Sequence, residues 1–209
     1  MTSYPSAMTN EAVICDPLLY EILGDHVPFV SNLRFSAAFH LRTLANAIDA
    51  LADHSGFYAW EMAFSDLSFA TAFQMSHPFI SALGRDSQSI YSLHIVDGPN
   101  AEIVLHDLLD ERAKKQKKYP RPGNLKECRD STTLYVGSSK ATPKRLSEHL
   151  GTCAAGTYGL RLGQWASHWP GKVRIEVRTF DNIDPTLLQI LEDHLAYLLK
   201  PITGKRGGK

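Results

Sequence analysis

The residues best suited to chemistry fall in one short stretch: Leu134-Tyr135-Val136-Gly137-Ser138-Ser139-Lys140, followed by Lys144-Arg145-Leu146 and His149. A tyrosine at a strand end, a glycine that lets backbone approach a ligand closely, and Arg145 and His149 four apart on a following helix bring three polar groups toward one spot. Arginine grips a phosphate through two parallel hydrogen bonds, and tyrosine and histidine move protons or orient water. Phosphodiester hydrolysis asks this of a protein. The same residue types also populate ordinary helix and strand surfaces, so taken alone they leave both readings open.

Order and spacing add to this. Tyr135-Val136-Gly137 leads to a helix carrying Arg145 ten residues after the tyrosine, His149 lies one helical turn beyond, and Glu192 on a later helix is followed nine residues on by Pro201. This pattern resembles the second half of the GIY-YIG endonuclease signature over residues 132–206. The first half requires a Gly-x-Tyr strand upstream, and two segments compete for it. Gly56-Phe57-Tyr58 is the literal match and is preferred, because it directly follows a helix end. Ser89-Ile90-Tyr91 lies nearer in sequence but lacks the glycine. With Tyr58 as the first tyrosine, residues 65–131 become an insertion in the hairpin. Many family members place an asparagine shortly after the proline, where this chain reads Ile202-Thr203-Gly204-Lys205. Thr203 or Lys205 is the replacement contact for phosphate.

The resemblance implies a metal-dependent nuclease that hydrolyses phosphodiester bonds in DNA, of a restriction, defence or repair type. Glu192 holds Mg2+ (or Mn2+) in that reading. Tyr58, or Tyr91 as the alternative, acts as or assists the general base, Arg145 neutralises charge building on phosphorus, and Tyr135 and His149 orient water or share the proton. Two rival readings stay open: a noncatalytic nucleic-acid-binding module with the same fold, and a nuclease directed at RNA.

The elements that must position these residues are legible from periodicity. Residues 1–54 read as an N-terminal helical extension, with Asp16-Pro17 opening one helix and apolar residues from Ala37 to Leu51 defining another. Phe57–Phe64 and Ser89–Val96 read as strands, the second closed by Asp97-Gly98-Pro99. A helix then runs from Asn100 to before Pro120, with Ile103, Leu105, Leu108 and Leu109 turned inward, and 119–130 reads as a loop. The rest is a βααβα run: strand Thr132–Val136, helix Ala141–Leu150, helix Thr157–Trp169, a strand around Val173, Ile175 and Val177, and a helix capped by Asp184-Pro185 with leucines on one stripe. The implied fold is α+β: a small GIY-YIG-like three-stranded antiparallel sheet flanked by helices, with 55–209 as the nuclease domain.

Charge is divided along the chain. The net charge is zero, yet residues 1–111 hold three basic side chains against fourteen acidic ones, and the remainder nineteen against eight. A basic half of this kind suits a phosphate backbone. Lys114, Lys117, Lys118, Lys140 and Lys144 are candidate DNA contacts, and in the noncatalytic reading the acidic N-terminal half serves as a docking surface for a protein partner. No apolar run is long enough to span a membrane and no basic-apolar leader opens the chain, which points to a cytoplasmic protein. Cys15, Cys128 and Cys153 form no metal or redox pair, Trp165 and Trp169 read as core, and the histidines other than His149 are scattered.

Overall fold

The computed structural model describes residues 56–68, 83, 88–114, 118–151 and 156–204. The described residues belong to one compact unit, His54–Lys209. The helical extension expected over 1–54 lies outside them, as do Lys117 and Lys205.

The chain order is β1 (Gly56–Ala63), a 3-10 turn (Phe64–Ser68), β2 (Gln88–Val96), α1 (Ala101–Ala113), α2 (Leu125–Cys128), β3 (Thr133–Ser139), α3 (Thr142–Leu150), α4 (Leu162–Trp165), β4 (Lys172–Phe180) and α5 (Pro185–Leu199). The four strands form one antiparallel sheet in the order β1-β4-β2-β3. The expected α+β class holds, but with four strands where three were expected. The additional strand follows from β2, whose residues Ser89 to Leu93 are all buried and which pairs with β3 on one side and β4 on the other. A strand flanked on both edges reads as a continuous buried run. By contrast, β1 pairs only with β4 and alternates between half-buried and exposed residues, as an edge strand does.

Register decides which residues meet. Tyr58 pairs with Val177, Val177 with Tyr91, and Tyr91 with Gly137, one row across all four strands. The next row is Trp60, Ile175, Leu93 and Tyr135. Directly opposed residues share a face. That face joins the main core with Phe64, Leu67, Val104, Leu108, Leu146, Leu150, Trp165 and Trp169.

Helix α1 begins where expected, because the Asn100 side chain accepts from the Ile103 amide at 3.1 Å. Its inward stripe is Ala101, Val104, Leu105 and Leu108, a step of three and four. Ile103 and Leu109, expected inward, fall off that stripe and are exposed. Residues 119–130 are not all loop, since α2 forms after Asn124, whose side chain accepts from Lys126 N. The expected helix Thr157–Trp169 shrinks to the single turn of α4. Arg161, just before it, has φ +55°, a left-handed conformation that interrupts a right-handed helix and that costs any residue but glycine energy to adopt.

Helix α5 is capped by Asp184, which accepts from Thr186 N at 2.7 Å and Leu187 N at 3.2 Å, with Pro185 in the first turn. It packs on β3 and β2 and buries Leu188, Leu191 and Leu195. After Lys200 the chain runs along the free edge of β3, with Ile202 N donating to Thr133 O and Thr203 N to Leu134 O. No helix among the described residues is long and apolar enough to cross a membrane.

Candidate active site

β2 and β3 bring Tyr91 and Tyr135 together. Their ring centroids are 6.2 Å apart and nearly parallel, and the His149 ring lies 4.4 Å from Tyr135 and 5.7 Å from Tyr91. The tyrosine beside Tyr135 is therefore Tyr91, and the preference for Tyr58 is corrected. Tyr58 shares the row but stands on β1, with β4 and β2 between it and β3. It packs against the main core. The sequence signal misled because Gly56 supplied the literal motif, whereas at the corresponding place in β2 a buried serine, Ser89, is used by the fold to bond the Thr142 hydroxyl.

That hydroxyl pair ties β2 to the first turn of α3, where Pro143 and the Ser139 hydroxyl, accepting from Ala141 N at 2.9 Å, start the helix. From α3, Arg145 projects its guanidinium toward both phenols and pairs with Glu148 at 2.8 Å. Burial opposes the Arg145 charge, but Tyr91, Glu148 and Tyr135 outweigh that and hold it more firmly protonated than usual.

The two phenols are pushed the other way. Burial raises Tyr91 well above the ordinary phenol value, with Tyr135 and Glu192 adding to the rise and Arg145 countering it; burial likewise raises Tyr135. Tyr91 is only 1% exposed, while Tyr135 is half-buried. His149 is completely buried and is driven well below the ordinary imidazole range, first by burial and then by the Arg145 charge, so its ring is neutral. Its Nε2 lies 3.1 Å from Tyr91 Oη, and its Nδ1 receives the Leu160 amide at 3.2 Å.

Glu192 arrives on α5, half-buried, and its Oε2 accepts from the Ser138 hydroxyl. Burial raises its carboxyl above the usual range, Ser138 pulls it down, Asp193 raises it, and Arg145 lowers it. Tyr91, Tyr135 and Arg145 all feel the Glu192 carboxylate or are felt by it. Sequence reading missed Ser138 and Glu148 as partners. The second could have been found from its i, i+3 spacing to Arg145.

Gly137 has a role different from the expected approach to a ligand. A Cβ built there would lie 2.7 Å from Tyr135 Cε1 and 2.8 Å from Tyr91 Oη, so the space above Gly137 is taken by the two tyrosines. Thr203, expected near phosphate, is buried and donates its hydroxyl to the Leu134 carbonyl at 2.7 Å. Lys140 and Lys144 are exposed at the start of α3. Lys114 is paired with Glu111, and Lys118 sits 5.4 Å over the Tyr158 ring. Trp165 and Trp169 are core, as read, each donating its indole N–H, to Leu160 O and to Asp107.

A metal would have one carboxylate here. Among the described residues no three His, Cys, Asp or Glu side chains gather as a ready cation site. A single carboxylate could hold a hard cation only with water or phosphate oxygens as its other ligands. No family model, no curated protein and no solved structure matches this chain.

Proposed function

We propose that the chain is a GIY-YIG-like, metal-dependent endonuclease that hydrolyses phosphodiester bonds in DNA. The observation that carries this reading is the convergence, from four separate elements, of the Tyr91–Tyr135 pair, the Arg145 guanidinium and the Glu192 carboxylate, with His149 behind them. Arg145 supplies a fixed positive charge for a phosphate in a partly desolvated place, where it acts more strongly than in water. Glu192 would hold Mg2+ or Mn2+, which supplies charge neutralisation and an acidified water. Exposed Lys140 and Lys144 flank the first turn of α3 and would engage the sugar-phosphate backbone.

The test is Mg2+-dependent cleavage of duplex, branched and single-stranded DNA, with Glu192→Ala as the control. Cleavage that survives in the control, or none by the wild type on any substrate, refutes the proposal. Matched RNA substrates in the same assay separate a DNA from an RNA preference, since only RNA offers the 2′-hydroxyl.

A second reading, a noncatalytic nucleic-acid-binding module, is favoured by one observation: both phenols are raised by burial, so neither is set to take a proton in the ligand-free protein. It predicts strongly salt-dependent binding without turnover.

A further inference from the structure

We propose that His149 is a positioning residue that serves only as a hydrogen-bond donor to Tyr91, its tautomer fixed by the backbone amide of Leu160. This deepens the nuclease reading by assigning a direction to the proton network, and it rests on that reading only for its kinetic arm.

The assignment follows from counting protons. The Leu160 N–H points at His149 Nδ1 from 3.2 Å, and an N–H can only donate, so Nδ1 is the unprotonated nitrogen. A neutral imidazole with a bare Nδ1 carries its proton on Nε2. Nε2 lies 3.1 Å from Tyr91 Oη, and the hydrogen between them therefore belongs to the histidine. It follows that His149 cannot receive the Tyr91 proton. The Tyr91 hydrogen is therefore turned away from the imidazole, whose Nε2 already carries the proton of that contact. The chain of donors runs outward from Leu160 to His149 to Tyr91, whose ring stacks on the half-exposed Tyr135.

The Leu160 peptide is itself clamped. Its carbonyl accepts the Trp165 indole N–H at 2.6 Å, and the next residue, Arg161, is held in the left-handed region. A strained residue of this kind persists only where its surroundings over-determine it. Here the Arg161 side chain is fully buried and donates to Thr157 O at 2.9 Å. The break in the expected helix is what frees the Leu160 amide to face His149 instead of an intrahelical carbonyl.

The test is a long-range proton–nitrogen correlation spectrum of the full chain labelled with ¹⁵N, recorded without DNA or metal. His149 is identified by nuclear Overhauser contact with the Tyr91 ring. A neutral, Nε2-protonated ring that does not titrate at ordinary imidazole pH is expected. An Nδ1-protonated ring, or an imidazolium at neutral pH, overturns the assignment. Because the spectrum needs no turnover, it is decisive even if the protein proves not to be a nuclease. In the kinetic arm, His149→Gln keeps an N–H donor near the Nε2 position and His149→Phe does not. Cleavage by the Gln protein is expected within about threefold of wild type with the same pH profile, and the Phe protein should lose roughly tenfold or more in kcat with KM little changed. Equal losses in the two variants, or an acid limb of the profile that disappears with the histidine, overturn the donor role. Should His149→Phe fail to fold, the wild-type spectrum and the Gln protein still decide.

Discussion

Gly137→Ala isolates the packing that makes the site. Gly137 is not in the left-handed region, so an alanine costs the backbone nothing there. The added methyl, however, would sit 2.7 Å from Tyr135 Cε1, 2.8 Å from Tyr91 Oη and 2.9 Å from Tyr91 Cζ. Carbon atoms pack at about 3.5–4.0 Å, so both rings must retreat by roughly 0.6–1.3 Å. Tyr91 is buried and its hydroxyl is held 3.1 Å from His149, so that retreat breaks or bends the hydrogen bond. Overpacking of this kind costs about 1–3 kcal/mol. For a chain of this size each kcal/mol lowers Tm by about 2–4 °C, which gives a loss of roughly 2–12 °C. Differential scanning calorimetry measures it, and a double-mutant cycle locates it: Tyr91→Phe removes the oxygen at 2.8 Å and should recover part of the loss in the Gly137→Ala background. A Gly137→Ala protein that melts within about 1 °C of wild type, with unshifted tyrosine ring resonances, would falsify the claim that the two rings fill the space above residue 137.

Other outcomes follow from the charges. Glu192→Gln should abolish Mg2+-dependent cleavage while raising Tm at neutral pH; burial lifts this carboxyl, so its stabilising contribution is present below the ordinary carboxyl value and lost as pH rises, and calorimetry showing a lower Tm would contradict this. Arg145→Lys keeps one charge but not the fork that reaches both phenols and Glu148, so kcat should fall about 10²–10³-fold in a cleavage assay, with DNA binding much less affected. His149 is depressed by burial, so its contribution to stability is present above the ordinary imidazole value of 6.5 and lost as pH falls toward its folded value. Denaturant melts between about pH 7 and 5 should therefore show wild type losing more stability than His149→Gln. The His149→Gln protein should still lose some stability over this range, because burial also lowers His94.

Most elements were legible because local signals agreed with the tertiary fold. Asn100 and Asp184 start helices by capping them, and Arg145 and His149 project from α3 toward the same two phenols. The tyrosine partner was misread because strand order is not local. Gly56-Phe57-Tyr58 and Ser89-Ile90-Tyr91 are equally good strands by composition, and only the pairing of β2 with β3 places one of them against Tyr135. Helix Thr157–Trp169 failed for a similar reason. Its leucines and tryptophans carry helical periodicity, but the Leu160 peptide bonds His149 and Trp165 in place of its own helix.

Around the candidate site the fold departs from local preference at several places. Ser89 gives up a glycine's freedom for a hydroxyl bond that fixes α3, the helix bearing Arg145 and His149. Arg161 takes a conformation unfavourable to a side chain, and Leu160 leaves a helix, so that one amide faces Nδ1. Glu192 accepts a partly buried carboxylate that a glutamine would fill at less cost. Core packing alone requires none of these. Together they order a guanidinium, two phenols and a carboxylate before any ligand is present, and a preorganised charge pattern is what lowers a transition state without reorganisation during the reaction. If the site were a structural relic, relieving these features one at a time should leave DNA handling unchanged and raise stability. If it acts on phosphodiesters, each relief should trade stability gained against turnover lost, as the Glu192→Gln pair of measurements reads directly.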